Sequence, residues 1–234
     1  MIAVEHRYAD KYEVQLANGE VFKAAPAIAT DAISLRNYAA FGGPPDSIRA
    51  ITDRVLDKIT ALVPAATAGQ VRSAILTRPL TIAASVIGPQ AVAAIGPNPD
   101  QQLLALRALA VNDLLTARRL LDSLAASRAT HAPGEITMDI TYQLAWLRAQ
   151  VGDSATAARL LDNALRGISA APLTMLESPV LIASLVRAMM LRSELAAKMN
   201  DQRVATFWAN AAIHLWGRGE PDVVSRVEQL RILR

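Results

Sequence analysis

From Asp46 to Val63 the chain reads DSIRAITDRVLDKITALV, with Ile48, Ile51, Val55, Leu56, Ile59, Leu62 and Val63 spaced mostly three or four residues apart. That spacing predicts an amphipathic helix with one buried stripe and Asp46 as its N-cap. The opposite face, Arg49, Asp53, Arg54, Asp57 and Lys58, reads as a solvated surface with local ion pairs. A helix is also expected from Asp31 to Ala40, stopped by Gly42-Gly43 and the Pro44-Pro45 pair. Further upstream the period falls to two. Val14 and Leu16, a turn at Asn18-Gly19, then Val21 and Phe22 predict a β-hairpin over residues 12–24.

No charge occurs between Arg78 and Asp100, a length nominally sufficient for a membrane span. The run is broken by Gly88-Pro89-Gln90 and is largely alanine with Thr, Ser and Gln, so two short buried helices are expected instead of a spanning one. The segment GPNPD at 96–100 then reads as a linker. It divides the chain into an N-terminal helical segment, residues 1–98, and a second domain, residues 99–234.

Beyond the linker one local pattern occurs three times. NDLLTARRLLDSL at 112–124, GDSATAARLLDNAL at 152–165 and NDQRVATFWANAA at 200–212 each place Asn or Gly, then Asp, three residues, and Ala. Asn or Gly tolerates the left-handed conformation that ends a helix. The following Asp accepts bonds from the exposed amides of the next helix. Ala117, Ala157 and Ala205 then sit one turn in, where a small side chain lets two helices approach closely. Helical runs precede each corner: Leu103, Leu104, Leu106 and Leu109; Ile136, Ile140, Leu144, Leu147 and Val151; and Leu181, Leu185, Met189 and Leu195. The expected fold is all-α, built as a stack of antiparallel helix hairpins.

These units resemble tetratricopeptide repeats. Leu144 and Ala145 match the family's first-helix pair, Gly152 and Asp153 its turn, and Ala157, Leu161 and Ala164 its second helix. The chain departs from the pattern at Arg148, where the family usually has an aromatic, and at Ser169, where the closing proline is absent. The corners at Asp113, Asp153 and Asp201 are spaced by 40 and 48 residues, against about 34 in the family. Residues 101–234 are also similar to C-terminal regions of multidomain bacterial serine/threonine kinases and signalling regulators, on YQLAWLRAQVGD and LRSELAAKMNDQRVATFWANAAIHLW. The resemblance implies an interaction scaffold, an α-solenoid with peptide or protein partners.

Composition agrees with close-packed helices: 52% of residues are hydrophobic but only 4% aromatic. The absence of cysteine removes disulfides and thiolate chemistry. The 24 basic and 21 acidic residues are spread along the chain, without the concentrated stripe that nucleic-acid binding needs. Charges from Glu5 onward are unlike a signal peptide, so cytoplasmic residence is expected.

Enzyme signatures are missing: no glycine-rich loop opens a helix, and neither HRD nor DFG occurs. His6, His131 and His214 lie on separate segments without a second ligand at metal spacing. Glu135 and Asp139 are four apart, but acidic residues at a helix start are favoured by the macrodipole alone. No catalytic residue, cofactor or metal is expected. The aromatic residues Trp146, Phe207 and Trp208 are the candidates for holding a protein partner or peptide. Two other functions fit the same sequence: a small-ligand sensor using the Leu80 to Ile95 region, and a fragment of a serine/threonine kinase lacking its kinase domain.

Overall fold

The computed structural model describes residues 25–63, 65–92, 100–128, 137–170, 178–217 and 230. Every element among them is helical: α1 (Ala25–Phe41), α2 (Pro45–Leu62), α3 (Ala65–Ile87), α4 (Gln101–Ala110), α5 (Leu114–Arg128), α6 (Met138–Gln150), α7 (Ser154–Arg166), α8 (Pro179–Lys198) and α9 (Gln202–Trp216), with 3-10 turns at Pro89–Val92 and Gly167–Ala170. The hairpin expected at 12–24 lies outside the described residues. No described helix is long and apolar enough to cross a membrane. The chain forms two compact units, one of Pro44–Leu120 with the chain up to Ala39, the other of Ala40–Gly43 with Leu121–Arg234.

In the first unit α2 and its C-cap Val63 bury five residues of the expected stripe, Ile48, Ile51, Val55, Ile59 and Val63, while Leu56 is half-buried and the side chain of Leu62 lies outside the described residues. Its N-cap is Pro44 and not Asp46. Pro45 occupies the first helical position, where a missing N–H costs nothing, so the helix starts two residues earlier than an Asp46 cap would allow. Asp46 instead sits in the first turn and pairs loosely with Arg49 at 3.8 Å. Helix α1 begins at Ala25, six residues before Asp31, and Asp31 pairs with Lys58 of α2 at 2.6 Å.

The first of the two short helices expected over 79–99 is the end of one long helix; of the second, only a 3-10 turn at Pro89–Val92 is seen, and 93–99 lie outside the described residues. α3 starts at Ala65 and continues through Pro79 until Gly88, whose φ of 89° ends it. The boundary expected near residue 98 falls inside this unit, because the head of α4 is tied back to α3. Asp100 caps α4 by accepting from the Leu103 amide (2.8 Å) and also accepts from the Thr77 hydroxyl (2.5 Å). One turn on, the Gln102 amide donates to Thr81 Oγ1 at 3.1 Å, a bond buried between the two helices.

In the second unit α8 is the centre. It packs on α6, α7 and α9, while α6 packs on α7. Being surrounded, it buries polar as well as apolar side chains: Ser184, Arg187, Arg192 and Ser193 beside Ala183, Val186, Ala188, Leu195 and Ala196. Ser193 Oγ donates to the Ala205 carbonyl of α9 at 2.7 Å. Segment 40–43 belongs to this unit: the Arg187 guanidinium donates to the Ala40 carbonyl (2.5 Å), and Phe41 stacks on Trp216 with ring centroids 6.2 Å apart.

The three expected corners share one geometry. Asn112, Gly152 and Asn200 have φ of 59°, 78° and 60°. At each, the amide of the following Asp bonds back to a carbonyl five residues earlier, Asp113 to Ala108, Asp153 to Arg148 and Asp201 to Ala196, at 2.8 to 2.9 Å. The left-handed residue bonds to a carbonyl three residues earlier at 3.0 to 3.1 Å, completing a Schellman C-cap. The same aspartates then cap the next helix, accepting from the amides of Thr116, Thr156 and Val204 at 3.0 to 3.2 Å. Ala117, Ala157 and Ala205 are fully buried one turn later.

Gly152→Ala should lower stability by about 1 kcal/mol, since alanine resists positive φ. Gly167→Ala should be neutral or slightly stabilising, because Gly167 has φ of −76° and open space around its Cβ position. Urea unfolding of both variants checks the contrast.

The Asp113 carboxyl is held below its ordinary 3.8, first by the Thr116 backbone N–H and then by the Thr116 side chain. A depressed pKa adds stability above 3.8 that is lost as pH falls through the lower folded value. The stability gap between the wild type and Asp113→Ala should therefore be constant near neutrality and shrink below pH 3.8. Parallel denaturant titrations from pH 7 to pH 2 would expose a gap that fails to close.

Candidate functional site

The three aromatic candidates meet different fates. Trp146, at 8% exposure, is part of the packing around α6 and offers no surface. Phe207 is 62% exposed and Trp208 half-buried, both on α9, and their rings meet edge to face with centroids 4.9 Å apart. The structure thus keeps Phe207 and Trp208 together and separates Trp146 from them.

The shared corner lets α5, α7 and α9 be compared position by position, counting from Asp113, Asp153 and Asp201. Ala205, Ala209 and Ala212 of α9 are buried, and Ser193 of α8 bonds to the first of them. Helical periodicity puts Val204, Trp208, Ala211 and Leu215 on a different face, with Phe207 at its flank. All five are half-buried or exposed, Leu215 at 53%. Equivalent positions in α7 are Thr156, Leu160, Asn163, Gly167 and Arg159; in α5 they are Thr116, Leu120, Ser123, Ser127 and Arg119. A surface kept mostly polar on two helices is wholly apolar on the third.

A second relation joins consecutive helix pairs. Nine residues after its corner, α5 carries Asp122 and α7 carries Asp162. Asp122 receives a bond from the buried Arg148 of α6, whose guanidinium also donates to the Leu121 carbonyl at 2.8 Å and reaches Asp153 at 3.5 Å. Asp162 receives Arg192 of α8 through two bonds, at 2.7 and 3.1 Å. The fork of each guanidinium thereby locks a later first helix onto the preceding second helix. Position nine of α9 is Asn210, exposed and without the carboxylate.

The remaining candidates form no cluster. His214 is exposed in the last turn of α9. Asp139 is buried in the first turn of α6 and bonded by the Thr137 hydroxyl, while Glu135, His6 and His131 lie outside the described residues. Gly217 ends α9. Comparison with family models, curated proteins and solved structures gave no match. The carboxylates of the interlock were readable in advance, because Arg-Leu-Leu-Asp occurs both at 119–122 and at 159–162. Their arginines were not, since Arg148 stands five residues before its corner and Arg192 nine.

Arg148→Ala should cost about 2 to 3 kcal/mol, removing a buried guanidinium together with its bonds to Asp122, Asp153 and the Leu121 carbonyl. Asp122→Ala should cost about 1 kcal/mol or less, because Arg148 keeps the Leu121 carbonyl and Asp153. Thermal melts of the two variants should differ accordingly, and equal losses would contradict this division of roles.

Proposed function

We propose that this chain is a non-enzymatic protein-binding scaffold. In this reading its second part is a degenerate tetratricopeptide-like stack, and its partner docks on α9. Three recurrences of one corner and two of one aspartate–arginine interlock support the stack, since a repeat array needs the same contact made between successive units. The observation that carries the binding reading is the apolar set Val204, Phe207, Trp208, Ala211 and Leu215, at positions where α5 and α7 are mostly polar. Exposed aromatics grouped on a rigid helix are what an interface anchor requires. The resemblance of residues 101–234 to regulatory regions of bacterial signalling proteins suggests the cellular setting. No catalytic constellation is part of this reading.

Phe207→Ala together with Trp208→Ala should abolish capture of the partner in affinity pull-downs read by mass spectrometry. Phe207→Ala alone should change stability by no more than about 0.5 kcal/mol, being a surface substitution. Unchanged capture by a folded double variant would remove α9 as the docking face.

A further inference from the structure

Resting on the reading of α9 as a docking face, we propose that its occupant is an acidic amphipathic helix of a protein partner. Its apolar side would lie on Val204, Trp208, Ala211 and Leu215, and its carboxylates would lie beside Arg203. The inference starts from charge. From Gln202 to Trp216 the helix has no carboxylate. The nearest one, Asp201, lies before the helix and caps it through one oxygen, which accepts from the Val204 amide at 3.1 Å.

Arg203 is exposed and makes no ion pair among the described residues. It stands four residues before Phe207, hence on the same flank of the apolar face, and His214 follows Phe207 at seven. On the preceding second helices the acids that could have balanced such arginines, Asp122 and Asp162, are already held by Arg148 and Arg192. Arg159 of α7, at the position equivalent to Phe207, is likewise exposed and outside every ion pair of the described residues.

These facts discriminate among occupants. A second copy placing α9 on α9 would bring Arg203 and His214 to a helix whose own residues carry no carboxylate, leaving only the capping Asp201 to meet them, which argues against self-association. A nucleic acid would find one arginine beside a tryptophan and a leucine, too little charge for phosphate binding. A helix fits by length as well: Val204 to Leu215 spans about 16 Å at the α-helical rise, three turns, enough to seat anchors at i, i+3, i+4 and i+7 on a partner, which span about 10 Å.

The test uses the full chain and two fluorescein-labelled synthetic helices of equal length. Both carry leucine at i, i+3, i+4 and i+7; the other positions are glutamate in one and lysine in the other. Fluorescence anisotropy should show the glutamate helix binding about tenfold tighter at low salt, with the preference shrinking as added salt screens the pair. Arg203→Glu should erase the preference, and Trp208→Ala should weaken both peptides, with circular dichroism melts confirming that the variants fold. Equal binding, a preference for lysine, or no binding of either peptide overturns the acidic partner while leaving the capture result above to stand alone. Glutamate-peptide binding indifferent to Trp208→Ala overturns the site itself. Light scattering that finds a dimer lost in Trp208→Ala would give the face to a second copy, against the proposal.

Discussion

When a chain leaves one helix and starts another within three residues, the last carbonyls of the first and the first amides of the second lose their partners together. This protein meets that constraint three times with the same pair of residues. The left-handed Asn112, Gly152 or Asn200 turns the chain, and the aspartate after it serves both helices, its amide closing the old one and its carboxylate opening the new one. The buried alanine one turn later depends on this corner, because close approach is possible only if the second helix leaves at a fixed angle. Packing of α6 on α7 and of α8 on α9 follows from these reversals.

Between successive pairs the restraint is of another kind. Arg148 and Arg192 are buried and hydrogen-bonded through planar guanidinium groups to carboxylates at the same place on α5 and α7. Withdrawing an arginine from water carries a cost that its ion pair barely offsets. What the contact supplies is geometry, since a fork that meets a carboxylate and a carbonyl together, as at Arg148, or both oxygens of one carboxylate, as at Arg192, tolerates little sliding of one helix along another. Apolar packing by Ala157, Leu161 and Leu165 provides the attraction, and the arginines set the register.

What could be seen in the sequence was whatever local chemistry determines. Most of the stripe of α2, the stop at Gly88 and all three corners are written in a few consecutive residues and appear where expected. Asp46 misled because a proline one position earlier is an equally good opening. No helix was expected over residues 65–78, yet α3 starts at Ala65 and carries Pro79 within it. Arg148 looked like a defect in a repeat pattern, since nothing local announces that its partner lies 26 residues back. Phe207 and Trp208 were visible as aromatics, but their setting emerged only when helices related by a common corner could be overlaid.

The alanine face of α9 holds it to α8, while its aromatic flank contributes little to that packing. If the proposed function holds, folding and recognition fall to separate sides of one rod. Substitutions on the outer side can accumulate without endangering the architecture, so under that proposal one associate could be exchanged for another while the frame beneath stays constant.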